Sequence, residues 1–178
     1  MRNTYSPYFI LSQMEGRCRD LAAGLPAQQE MVRSWSGIGF RMGTQLFVAP
    51  MGEINEILHE PRYTQLPGVK PWVKGVANVR GRLLPLMDLN VFLGGESSSS
   101  RLKRRILVVD VDDIFAGLIV DEVLGMQYFP NASFSELPAT SADSLQPFIH
   151  GAFTRESEWL VFSPHALVRH QQFLSVAA

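Results

Sequence analysis

The chain has 178 residues, 46% of them hydrophobic and 19% charged, with a net charge of −1. That composition is globular rather than disordered, and it lacks the large positive excess of a protein that lives on phosphate backbones. One cysteine, Cys18, excludes a disulfide framework or a multi-thiolate metal site, and no run approaches the roughly 18 apolar residues of a membrane span.

The N-terminal segment is too short in apolar residues for a secretory leader, so a cytoplasmic protein is expected. Ser6 is a fair N-cap and Pro7 suits a first helical position. Ile10, Met14, Cys18, Leu21 and Leu25 follow at helical spacing, and Gly24 and Pro26 end the pattern. Residues Ala27 to Trp35 are a second helical candidate. The first helix either packs on the domain or docks on a partner, and the spacing leaves both open.

After Trp35 the period changes to two. Ile38, Phe40 and Met42 alternate with Gly39, Arg41 and Gly43, then Leu46 to Ala49 return after a Gly43-Thr44 turn, which is a hairpin pattern. Pro50 and Gly52 break it. Glu53 to His59 is a short segment, and Pro61, Pro67 and Pro71 mark a loop. From Trp72 to Leu84 the sequence predicts strand, a turn at Arg80-Gly81 and strand, with a short helix from Met87 or Asp88. Residues 94 to 104 read as a flexible linker, Gly/Ser-rich up to Ser100.

The second half repeats the plan. Ile106 to Val111, a turn at Asp112-Asp113 and Phe115 to Val120 form another hairpin, and Glu122 to Met126 takes the place of Glu53 to Leu58. A polar loop spans Pro130 to Pro147. Gly151 to Thr154, a turn at Arg155 to Glu158, Trp159 to Phe162 and a helix from Ser163-Pro164 then match the stretch from Gly75 to Leu89. Two copies of one small β unit bury little core alone, so two small barrels packed side by side are expected, with a groove between them.

No catalytic constellation is present in the pattern. His59, His150, His165 and His170 lack metal-ligand spacing, and there is no Walker loop, G-x-S-x-G elbow or dinucleotide fingerprint. Asp110, Asp112 and Asp113 fall at a hairpin turn, where Asp is ordinary. Arg101, Lys103, Arg104 and Arg105 form a basic run expected to be a solvated linker end; the alternative is a generic SH3- or OB-like module that contacts nucleic acid there. Trp72, Phe153, Trp159 and Phe162 are expected in the core. No catalytic residue, metal or cofactor is expected.

The stretch Gly68 to Leu89 resembles the CheW domain signature. Trp72, Gly75, Asn78, Arg80 and Gly81 fit W-x-x-G-x-x-N-x-R-G, and Pro85, Asp88 and Leu89 fit P-x-x-D-L. Ile54 to Leu58 is similar to the family's strand with its glutamate, and Val108 to Leu124 to its second-half motif. The resemblance runs from about Gly37 to Leu174, which divides the chain into a helical extension, 1–36, and a CheW-like domain, 37–176. The extension and the run Trp35 to Phe40 are similar to the branch of that family found in type IV pilus twitching systems.

The resemblance implies a mainly β fold of two SH3-like barrels with an N-terminal helical extension and a short C-terminal helix. It implies no catalysis and two partners: the cytoplasmic tip of a chemoreceptor and the regulatory domain of a CheA-type histidine kinase. Nucleic acid and direct membrane insertion are not expected. The resemblance pairs Arg80 with Glu56 at a receptor-facing groove. Ile54 lies two residues before Glu56 and so shares its face in an extended strand. Lys74 and Asn78 flank the same strand and complete the candidate set. Gly75 and Gly81 are read as structural, Gly81 at the turn and Gly75 at a bulge or close backbone approach.

Overall fold

The computed structural model describes residues 6–21, 34–96, 101–136 and 144–177. The chain divides into two units, Met1–Val32 and Arg33–Ala178. In the first, helix α1 spans Pro7–Leu21 and carries a Glu15–Arg19 ion pair one turn apart. The expected helix Ala27 to Trp35 lies largely outside the described residues; its last residue, Trp35, is in a strand instead.

In the second unit that strand is β1 (Ser34–Met42), followed by β2 (Gln45–Pro50), β3 (Glu56–His59), β4 (Val73–Val79), β5 (Arg82–Asp88) and helix α2 (Leu89–Phe92). Strands β6 (Arg105–Val111), β7 (Ile114–Val120), β8 (Glu122–Pro130), β9 (Phe134–Ser135), β10 (Ile149–Thr154) and β11 (Glu158–Phe162) come next, then helices α3 (Pro164–Arg169) and α4 (Gln171–Leu174). The fold is mainly β, as expected. The short helix after β5 starts at Leu89, because the Asp88 carboxylate accepts the Val91 N–H at 3.2 Å as its N-cap.

The strands form a six-stranded sheet, β8-β1-β2-β11-β10-β9, and a five-stranded sheet, β3-β6-β7-β5-β4. Both curl. In the first, β8 and β9 are the two edges, joined by a single turn of 3-10 helix, Asn131–Ser133. In the second, Thr64, just past β3, exchanges two backbone hydrogen bonds with Val76 of β4, which ties the edges together. Curling in this way removes exposed edges from small sheets.

The repeated units are interlaced rather than sequential. β3 leaves its own hairpin and pairs with β6, and β8 leaves the later hairpin and pairs with β1. The equivalence of Glu53 to Leu58 with Glu122 to Met126 therefore holds in position, while each sheet mixes strands from both halves. The match between Gly75–Leu89 and Gly151–His165 also shifts by one at its end. Asp88 and Ser163 are the corresponding helix caps, because the second copy is one residue shorter between glycine and cap.

Alternation explains the cores. Ile106 and Val108 of β6 enter a cluster with Ala77, Leu84, Leu86 and Ile119. Leu107 and Val109 point the other way, into a large cluster that holds Phe40, Phe47, Leu118, Leu160 and Phe162 from both sheets. A strand buried on both faces needs an unbroken apolar run, which is why the two-residue period vanishes there. Val48, Phe129, Phe153 and Val161 fill the curl of the six-stranded sheet. Of the aromatics expected inside, Phe153 and Phe162 are buried, while Trp72 and Trp159 are half-buried against these clusters.

Candidate functional site

The turn between β4 and β5 is two residues long, and both have positive φ: 52° at Arg80 and 83° at Gly81. That is the pattern of the type I′ turns that match strand twist, and glycine accepts it freely. Arginine does not; a left-handed conformation costs a side chain with a Cβ about 1 kcal/mol. Asn78 steadies the turn by accepting the Gly81 N–H at 2.9 Å. Arg80 thus stands at an exposed tip, and its Nη2 donates to Glu56 Oε1 at 2.5 Å. Glu56 is the first residue of β3, on the opposite edge of the same curled sheet. The Arg80 side chain is 77% exposed and that of Glu56 29%, so the pair is a surface feature with modest weight in stability.

Beside Glu56 lies a cleft of about 220 Å³ lined by Ile38, Met51, Ile54, Asn55, Glu56 and Ile57. Ile54 is extended and Glu56 follows on the same wall. Glu56, Asn78, Arg80 and Ile54 are therefore brought to one region. Lys74 is not. It sits six residues before Arg80 along β4, about 20 Å at the usual rise per residue. There its Nζ lies 3.5 Å from the buried Asp88 carboxylate and 3.4 Å from the Pro71 carbonyl.

Three further groups were not evident from sequence. Arg82, just after the turn, bonds Asp110 of β6 at 2.9 Å and lies 3.9 Å over the Phe115 ring. Asp110 in turn donates its N–H to Asn55 Oδ1 at 2.8 Å. At the start of β8, Glu122 is held by Arg41 at 2.9 Å. That hydrogen bond, with weaker attraction from Lys103, Arg41 and Arg105, lowers the Glu122 carboxyl below the usual range against a desolvation that raises it. Glu53 accepts from Ser163 Oγ at 2.6 Å and from the His165 N–H at 2.9 Å, closing the start of α3. Each of these pairs spans a long stretch of chain, so no local pattern announces it.

The basic run is solvated only in part: Arg101 and Lys103 are exposed, whereas Arg104 and Arg105 are half-buried. Arg101 reaches Glu60 Oε1 at 2.9 Å and Arg104 approaches Oε2 at 3.7 Å, and the Glu60 side chain is only 3% exposed. Arg105 donates to the carbonyls of Leu102, Lys103 and Arg104. The C-terminal part of the run, Arg104 and Arg105, thus folds back on its own domain. Of the acidic trio, Asp110 belongs to β6, and Asp112 at the turn pairs with Arg169 at 2.8 Å.

A separate cleft of about 390 Å³ opens among Trp35, Phe134, Phe153 and His150. Its lining, among the described residues, holds one ionisable side chain, His150. Among the described residues no group of three His, Cys, Asp or Glu is placed to hold a metal ion, and no helix is long and apolar enough to cross a membrane.

The model of the CheW-like domain matches residues 36–172. The chain is 68% identical over 178 residues to Protein PilI of Pseudomonas aeruginosa, covering 99% of both chains. It is 28% identical over 123 residues to the chemotaxis protein CheW of Rhizobium meliloti, covering 69% of this chain and 79% of that one. The fold is also that of the scaffolding protein TtCheW of Thermoanaerobacter tengcongensis, with a TM-score of 0.68, 22% identity and coverage of 79% of this chain and 96% of that one. The protein belongs to the CheW-like family, as the Trp72–Leu89 signature and the paired curled sheets indicate. Its likeness to PilI extends through the N-terminal segment as well as the β domain.

Proposed function

We propose that this protein is a non-catalytic adaptor that couples a methyl-accepting chemoreceptor to a CheA-type histidine kinase, in the chemosensory pathway that controls type IV pilus twitching. The pilus assignment rests on the similarity to PilI over the full chain. The observation that carries the receptor-facing reading is the Arg80–Glu56 pair, presented at a turn whose conformation disfavours arginine. A residue kept in a costly conformation at the surface, where it adds little to stability, fits recognition better than folding.

In this reading Ile54 and the cleft beside it supply apolar contact, and Glu56 and Arg80 supply orientation and partner choice. Asn78 acts through the turn, while Lys74, held beside Asp88 at the other end of β4, lies outside that surface. Gly75 and Gly81 hold the hairpin. The kinase's regulatory domain, itself CheW-like, meets a different face. The protein works in the cytoplasm, reaches the membrane only through receptor arrays, and needs no nucleic acid and no cofactor.

The test is co-sedimentation of the purified protein with a receptor cytoplasmic fragment and a CheA-type kinase, with Arg80→Ala in parallel. The ternary complex is expected to form, and the variant to lose about tenfold in receptor affinity while keeping the kinase. A folded Arg80→Ala protein that binds receptor normally would sink the assignment of this surface.

A further inference from the structure

We infer that Arg82 and Asp110 are positioning residues for partner recognition: they pin the β4–β5 turn so that Arg80 meets Glu56. The inference rests on the receptor-facing reading of Arg80, and it concerns residues that take no part in that pair.

The geometry is a closed circuit. Arg80 and Arg82 flank Gly81 in one tight turn. Arg80 bonds Glu56, the residue after Asn55. Asn55 Oδ1 accepts the Asp110 N–H at 2.8 Å, and the Asn55 N–H donates to the Val108 carbonyl at 2.9 Å. The Asp110 carboxylate then accepts from Arg82 Nη1 at 2.9 Å. Three separate pieces of chain, the turn, the start of β3 and the end of β6, are thus joined in a ring with each link a hydrogen bond.

Arg82 is the stiff member. Its guanidinium lies 3.9 Å from the Phe115 ring centroid, and Phe115 stands directly across from Asp110 on β7. Stacked on an aromatic face and bonded to a carboxylate, the planar head has little freedom left. Arg80 has no such support: its side chain is 77% exposed, against 59% for Arg82. A long exposed side chain pays rotamer entropy to hold one geometry, so a lone Arg80–Glu56 pair would be loose. Fixing the turn two residues away removes part of that cost before any partner arrives, and pre-organisation of this kind appears as affinity.

The experiment has two arms. Affinity for the cytoplasmic fragment of a methyl-accepting chemoreceptor is measured by calorimetry for the parent protein, Arg80→Ala, Arg82→Ala and the double variant. Arg82→Ala is expected to weaken binding about fivefold, and the double variant to bind no more weakly than Arg80→Ala alone. Losses that multiply would overturn the inference, since Arg82 would then touch the partner itself. Exchanging the charges, Arg82→Asp with Asp110→Arg, is expected to recover most of the affinity lost by either single change. The second arm needs no partner. The Arg80 Nε–Hε signal in nitrogen-15 NMR spectra is expected to move in Arg82→Ala, and in Asp110→Asn should the first variant fold poorly, to the place it takes in Glu56→Ala. An Arg80 signal unchanged from the parent protein would overturn the inference whatever the calorimetry gives. Failure of the parent protein to bind the fragment would count against the receptor reading alone, and the NMR arm would still decide the positioning role.

Discussion

Gly75 and Gly151 hold the same backbone conformation, with φ of 145° and 144°, at matching places in the two sheets. A Cβ on Gly75 would run into the Thr64 carbonyl, and one on Gly151 would stand 2.6 Å from the Ser135 carbonyl. The glycine lets another stretch of chain lie close against its strand, Thr64 against β4 in one sheet and β9 against β10 in the other. Both contacts are with backbone, which cannot swing aside. Gly75→Ala and Gly151→Ala are each expected to cost about 3 kcal/mol, from a conformation nearly reserved for glycine plus the collision. Urea unfolding followed by tryptophan fluorescence measures both.

Arg80 offers the opposite case. Asparagine tolerates positive φ better than arginine, and an exposed ion pair contributes little. Arg80→Asn is expected to leave stability unchanged or raise it by about 1 kcal/mol, while receptor affinity falls as in Arg80→Ala. A clear drop in melting temperature would mean that the pair with Glu56 holds the fold together.

The Glu60 carboxylate is buried and faced by two arginines. Removing both cations strands a charge in the interior, whereas Glu60→Gln keeps the shape and removes the charge. The double change Arg101→Ala/Arg104→Ala is expected to cost about 3 kcal/mol, and Glu60→Gln clearly less. The two are compared by equilibrium denaturation; equal losses would count against a stranded charge.

Glu122 ties stability to pH. Its carboxyl is lowered in the folded protein by the hydrogen bond from Arg41. A depressed acid contributes stability that is fully present above its unfolded pKa and is lost as pH falls through the folded one. The stability gap between the parent protein and Glu122→Gln is therefore expected to be widest near neutral pH and to close below the ordinary carboxylate range. Thermal melts at a series of pH values track it, and a gap independent of pH would exclude the linkage.

What could be read in the sequence was whatever is local. The hairpin β4–β5 announced itself through apolar alternation around Arg80-Gly81, and helices were expected from Met87 or Asp88 and from Ser163-Pro164, where the structure makes Asp88 and Ser163 the caps. The family signature placed Glu56 beside Arg80, a pairing that spacing alone does not supply. Long-range partners stayed hidden. Nothing near Arg101 or Arg104 points to Glu60, some forty residues earlier, so a basic run next to serines looked solvated. The ring through Arg82, Asp110 and Asn55 was hidden for the same reason. The exchange of β3 and β8 between hairpins was also illegible, because the two units repeat one pattern and either pairing satisfies it.

That exchange sets the order in which the molecule can be completed. β3 leaves the ribosome with Glu56 in place, yet its hydrogen-bonding neighbour, β6, is encoded beyond the serine tract. Until β6 emerges, the first half has no edge on which to lay β3, and Glu56 has no fixed position to offer Arg80. The Arg80–Glu56 surface is written almost wholly in the N-terminal half of the gene, but it is assembled by the C-terminal half. A nascent or truncated chain that stops before β6 is thus unable to display it.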